Sequence, residues 1–176
     1  MKAKELSYVG LMVALISICS WISIPMTVPF TLQTFAVFVA VGLLGMKGGT
    51  MAVLIYMLLG AIGLPVFAGF SGGIGQLLGN TGGYIIGFFF SALTSGLVMK
   101  CFGKRPLVMV IGFVIGLLVC YMFGTAWFMY FYSRGTGAIG LATALSWCVT
   151  PFLIPDAVKI GLAALVVKRV EKSVTL

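Results

Sequence analysis

The sequence predicts an all-α integral membrane protein of six transmembrane helices, forming one domain with both termini on the cytoplasmic side (N-in/C-in). Three observations carry this. Hydrophobic residues make up 61% of the 176 residues, charged residues only 8%, and the mean hydropathy is +1.22. A soluble globule of this length must present more charge to water. The length accommodates roughly five to seven spans of about 20 residues each with short loops, and no long polar linker marks off a soluble domain. Finally, the basic residues recur at alternate junctions. Lys2, Lys4, Lys47, Lys100, Lys104, Arg105, Lys168, Arg169 and Lys172 fall on one side of a six-helix arrangement and only Arg134 on the other. The positive-inside rule assigns the first side to the cytoplasm. The net charge of +8 is therefore read as topology, and no nucleic-acid partner is expected.

The helices are predicted at 6–24, 31–46, 49–63, 82–100, 107–132 and 155–170. The first follows a basic start and could be mistaken for a signal peptide. Ile18 stands before Cys19, where a lipoprotein signal requires a small residue, and the rest of the chain is equally apolar, so 6–24 is read as a span. Pro25 and Pro29 interrupt the chain after it. Helices two and three are expected to form an antiparallel hairpin about the turn Gly45-Met46-Lys47-Gly48-Gly49, and 64–81 forms an outer loop. The stretch 139–154 is apolar but ends in Pro151 and Pro155. It is read as re-entrant or interfacial, because a seventh span would place the basic C-terminus outside. The sixth helix, at 155–170, rises about 24 Å against a hydrocarbon core of about 30 Å, which sets its start below the outer surface.

That start holds Asp156 and, one turn on, Lys159. Of three acidic residues, Glu5 and Glu171 lie near the ends, so Asp156 is the single carboxylate within the apolar sequence. A charge at bilayer depth costs about 2.5–3.5 kcal/mol on insertion scales and usually pairs or faces a cavity. Pro155 suits the first helical position and Asp156 complements the helix dipole. The pair is read as functional; a structural ion pair closing two helices is the alternative.

The segment Leu64 to Tyr84, LPVFAGFSGGIGQLLGNTGGY, has seven glycines between Gly69 and Gly83 and no charge, yet keeps Phe67, Phe70, Ile74, Leu77 and Leu78. A solvated linker would be polar. This one is read as a lid and binding loop folded over an apolar cavity, the alternative being a packed surface loop. Asn80 offers donors and acceptors near its end. Thr31, Gln33, Thr34 and Tyr84 are expected to face the same cavity, with aromatic walls from Phe67, Phe70 and Trp147. One carboxylate, one ammonium and several neutral hydrogen-bonding groups in an apolar pocket suit a small amphiphilic ligand. They suit catalysis poorly, since no second carboxylate is present for acid–base work, and the protein is not read as an enzyme.

Small residues at four-residue spacing, Gly83 and Gly87, Gly112 and Gly116, are read as internal packing. Gly10 and Ala14 on helix one could equally dock a partner. Cys19, Cys101, Cys120 and Cys148 lack C-x-x-C spacing and read as small core residues, with no metal site. The absence of histidine excludes Ser-His-Asp triads and His-containing zinc sites. Gly135-Thr136-Gly137-Ala138-Ile139-Gly140 matches G-x-G-x-x-G but follows no strand and is discarded. With no P-loop, the energy for any active uptake comes from elsewhere.

At ISIPMTVPFTLQTFAV (22–37), GAIGLPVFAGFSGGIGQLLGNTGGYIIGF (60–88) and PFLIPDAVKIGLAAL (151–165) the sequence resembles the BioY family, the biotin-binding S components of energy-coupling factor (ECF) transporters. These blocks cover about a third of the chain. The resemblance implies a six-helix S-component fold with a pocket on the outer side of a bacterial plasma membrane. It implies no cofactor, biotin as transported ligand, and an ECF module of one coupling protein and two ATPases as partner, all within membrane lipid. It makes Asn80, Asp156 and Lys159 polar ligands to biotin, with Tyr84 and Gln33 supporting, and it makes helix one the docking helix. Gly10-x-x-x-Ala14 stands there where S components commonly show Ala-x-x-x-Ala. Asp156 can accept from a ureido N–H, Asn80 can serve ureido or carboxylate, and Lys159 can hold the valerate or serve Asp156. The rival readings are an S component for another vitamin, an intramembrane enzyme or channel, and a carrier that works without ATPases.

Overall fold

The computed structural model describes residues 3–173; Lys2, one of the topological charges, lies outside them. Helix α1 (Ala3–Trp21) leads into a short antiparallel pair, β1 (Ser23–Ile24) and β2 (Phe30–Thr31), in which Ser23 faces Thr31 and Ile24 faces Phe30. Next come α2 (Gln33–Ala61), the single-turn α3 (Ile74–Leu77), α4 (Gly82–Phe102), α5 (Pro106–Thr136), α6 (Leu141–Cys148) and α7 (Leu153–Ser173). Pro106 opens α5 at a position where its missing N–H costs nothing.

The α2 stretch is a hairpin of two antiparallel arms, 33–44 and 46–61. Gly45, at φ 68° and ψ −173°, breaks it in a backbone region essentially reserved for glycine. Gln33 Nε2 donates to Tyr56 Oη at 2.9 Å across 23 residues, which a continuous helix would separate by about 35 Å. The predicted five-residue turn is thus a single residue. Gly49 serves another purpose, because a Cβ there would lie 2.5 Å from Val41 Cα on the opposite arm. Counting both arms and setting aside the short α3 and α6, six helices among the described residues match the predicted number.

Two expectations are corrected. Helix α7 begins at Leu153 and runs 21 residues, about 32 Å, long enough to cross the hydrocarbon core. The placement of Asp156 therefore rests on its burial, not on a short helix. Pro155 is the third helical residue, tolerated because the first turn's N–H groups have no helical acceptor. The 139–154 stretch forms the eight-residue α6 and a 3-10 turn at Thr150–Phe152. At about 12 Å, α6 cannot cross a bilayer.

Small residues bring α4 and α5 together: a Cβ on Gly83 would meet Trp127 Cβ at 2.2 Å, and one on Gly116 would meet Ser95 Oγ at 2.1 Å. Gly87 and Gly112 also face the opposing helix, as read from their spacing. Phe38 and Phe113, both fully buried, stack at 4.7 Å in the core. Leu11, Leu118, Met122 and Leu165 are exposed on the outside, an apolar exterior suited to lipid. Cys19, Cys120 and Cys148 are buried as expected, whereas Cys101 is exposed at the end of α4. At that end Lys104 Nζ donates to Gly42 O and to Glu171 Oε1, each at 3.2 Å. This contact gathers the hairpin tip, the α4–α5 junction and the end of α7.

Candidate functional site

At the opposite end, the starts of α2 and α7, the loop between α2 and α4, and residues of α4 and α5 surround a cavity. It encloses about 780 Å³ of atom-free space, its open mouth included. The first two turns of α7 contribute Asp156 and Lys159 to its wall. Asp156 and Lys159 are 2% and 4% exposed. Lys159 Nζ donates to Asp156 Oδ1 at 2.8 Å and to the Thr31 carbonyl at 2.6 Å, and lies 4.2 Å from the centre of the Phe30 ring. Tyr121 on α5 donates through its hydroxyl to Asp156 Oδ2 at 2.5 Å.

Every charged atom in this cluster has a partner, which a buried ion pair needs to offset its desolvation. The ion pair spans three residues of one helix, so it does not itself close two helices. The links to neighbouring elements run through Tyr121 and Thr31.

Among the expected residues, Thr31, Gln33, Thr34, Phe67, Tyr84, Asp156 and Lys159 all line the cavity. Gln33 is tied by its amide nitrogen to Tyr56, which leaves its side-chain oxygen as an acceptor. Tyr84 shares a hydrogen bond with Thr125 Oγ1 at 2.9 Å. Asn80, Phe70 and Trp147 are not in the wall. Asn80 is exposed, next to the lining residue Thr81. Phe70 is 63% exposed and stacks on Trp21 at 5.0 Å. Trp147 packs edge-on against Tyr132.

The loop is fastened at several points. Trp21 Nε1 donates to Pro65 O at 2.7 Å, Ser20 Oγ to Val66 O, and Trp127 Nε1 to Gly79 O at 3.0 Å. Phe67 turns inward, fully buried and edge-on to Tyr56 at 5.4 Å. Its ring lies over Gly60, where a Cβ would come within 2.0 Å. Phe67, Ala68, Ser71, Gln76 and Thr81 contribute to the cavity wall. Ile74 and Leu78, two of the apolar residues of the loop, are 61% and 55% exposed. The loop is therefore a cover whose inner face belongs to the cavity and whose outer face is apolar.

Sequence reasoning missed Tyr121, Phe30, Phe152, Cys120 and Cys148. One signal pointed to Tyr121: a phenol in the middle of a long apolar helix must find a partner for its hydroxyl. No sequence feature identified that partner as Asp156.

The BioY family model matches residues 1–176. The chain is 44% identical over 172 residues to a probable biotin transporter BioY of Pyrococcus horikoshii, covering 97% of this chain and 98% of that protein. It is 41% identical over 170 residues to the biotin transporter BioY of Thermotoga maritima, covering 96% of each. The crystal structure of the S-component for biotin from an ECF-type ABC transporter superposes with a TM-score of 0.88 at 31% identity, covering 97% of this chain and 92% of the other.

Proposed function

The chain belongs to the BioY family, and from that premise we propose that it is a biotin-binding S component, a single transmembrane unit that captures biotin outside the cell and releases it inside. The observation that carries this is the buried Asp156–Lys159–Tyr121 cluster lining a covered, otherwise apolar cavity. Biotin's ureido group offers N–H donors to an acceptor such as Asp156, and its thiophane ring suits walls such as Phe67, Phe88 and Phe152. Both hydrogen bonds of the Lys159 ammonium go to protein oxygens, which favours its role as partner of Asp156 over that of a valerate clamp. The valerate would then reach toward Thr81 and its exposed neighbour Asn80. Phe70 supports the site indirectly, by fastening the loop to Trp21. The basic junctions at the far end favour N-in/C-in and a pocket that opens outward.

Purified protein is expected to bind radiolabelled biotin saturably at submicromolar concentration, and no saturable binding would count decisively against the reading. A thiamine-like cation would favour a second acid or an aromatic cage, and competition with thiamine and riboflavin separates these ligands. Gly60→Ala should displace Phe67 and loosen the cover, so that biotin dissociates at least about tenfold faster, a change of roughly 1.4 kcal/mol. Stopped-flow dissociation measures this, and an unchanged rate would remove the loop from the binding mechanism.

Uptake is proposed to need an ECF module of one coupling protein and two ATPases, docked on α1. Gly10 and Ala14 are exposed beside Leu11, and nothing lies within 4 Å of the space a Cβ on Gly10 would fill. This narrow stripe would admit a partner helix closely. Gly10→Leu with Ala14→Leu is expected to leave biotin binding intact and to cut module-dependent uptake by about tenfold or more, as loss of close helix packing predicts. Equal uptake with and without the module would favour a carrier that acts without ATPases.

A further inference from the structure

Both oxygens of Asp156 hold a donor, Lys159 on Oδ1 and Tyr121 on Oδ2. Lys159 is bound further to the Thr31 carbonyl and lies over the Phe30 face. The Tyr121–Asp156 contact is thus the part of the cluster that a ligand can most easily open. It is a single O–H···O bond between side chains of α5 and α7, and both residues line the cavity.

We infer that this hydroxyl–carboxylate pair reads the edge of a cyclic urea, which makes Tyr121 a specificity-determining residue. A ligand N–H donates to Asp156 Oδ2, and Tyr121 turns its hydroxyl proton onto the ligand's carbonyl oxygen. The inference rests on the biotin reading above and deepens it. In a ring-held urea the N–H and C=O point to the same side, with nitrogen and oxygen about 2.3 Å apart by standard bond lengths and angles. Oη and Oδ2 are 2.5 Å apart while the hydroxyl proton bridges them, and they must move apart to ordinary contact once that proton turns to the ligand. Small side-chain rotations of Tyr121 and Asp156 then let two near-parallel hydrogen bonds form on the urea edge without shifting a helix.

The burial of Tyr121 makes the pairing selective. At 8% exposure its hydroxyl finds little water, and a buried polar group left unpaired penalises a ligand that fails to satisfy it. Tyr84, the other phenol in the wall, is engaged with Thr125 and has no hydrogen bond to Asp156 in this arrangement.

Biotin and 2-thiobiotin, whose ureido oxygen is replaced by the weaker acceptor sulfur, are titrated into wild type and Tyr121→Phe. The variant is expected to bind biotin about tenfold more weakly while 2-thiobiotin changes by less than about twofold, as loss of one buried hydrogen bond to the carbonyl requires. The wild-type preference for biotin then shrinks by the same factor. An unchanged preference overturns the inference, including the case in which both ligands weaken together, since that is a packing effect. A wild type that binds no biotin sinks the biotin reading itself, so the two failures are distinguishable. Should Tyr121→Phe not fold, wild type decides by isotope-difference infrared spectroscopy on biotin carrying ¹³C in the ureido carbonyl. The bound carbonyl stretch is expected below its frequency in an aprotic solvent, and a frequency at or above that value overturns the inference.

Discussion

Replacing Asp156 with asparagine is expected to abolish high-affinity biotin binding and to lower stability together. The carboxylate is the one anionic acceptor in the cavity wall, and charge-assisted hydrogen bonds are about twice as strong as neutral ones. Its loss also leaves the Lys159 ammonium, 4% exposed, without a counter-charge. Breaking a buried pair from one side costs about 3–5 kcal/mol. An asparagine NH2 would in addition face one of two donors, Lys159 or Tyr121, that now point at the carboxylate.

Because this variant confounds folding with binding, the double variant Asp156→Leu/Lys159→Met is the sharper experiment. It removes both charges and substitutes apolar side chains of similar shape, a change that is often neutral or stabilising by about 1–4 kcal/mol in buried ion pairs. It is expected to melt close to or above the wild type in detergent and to bind no biotin at concentrations that saturate the wild type. Retained binding in that double variant would reduce the pair to a structural element.

The second large effect is expected at Gly45. A Cβ at this position would meet nothing within 4 Å, yet the backbone sits at φ 68° and ψ −173°. The obstacle to any L-residue is thus purely conformational, about 1–3 kcal/mol for such a region and at the upper end for a β-branched side chain. Gly45→Val should misfold or aggregate. Its consequence reaches the site, since the hairpin brings Gln33 to Tyr56 and sets the entry to α2 beside Lys159. A D-alanine placed at 45 by semisynthesis has the chirality that accepts positive φ and should restore the monodisperse protein and its biotin binding. Equal damage from D- and L-alanine would show that contacts, not backbone chirality, require the glycine.

Much of the architecture could be read from composition and punctuation. Uncharged apolar runs of membrane length, the prolines at 25 and 29, and the clusters of lysine and arginine at alternate junctions gave six helices and a hairpin. Asp156 and Lys159 stood out because an acid and a base are rare at that depth. Gly83 and Gly116, read as internal packing, face a partner helix inside the chain, and Gly10, read as open to a partner, faces outward. Gly45 and Gly49 show where this kind of reading stops, since sequence placed them together in one turn. One supplies a positive φ and the other allows the two arms to touch.

The amino-acid order alone determined that this is a multi-pass membrane protein of the BioY family with one polar pair in an apolar setting. Those properties follow from residue type and local spacing, which the chain carries before it folds. Which groups satisfy the pair was decided only when α5, α7 and β2 met. Tyr121 lies 35 residues from Asp156, and Thr31 lies 128 from Lys159. Hydrogen bonds depend on distance and direction in space, so such partners become visible only once the helices have packed.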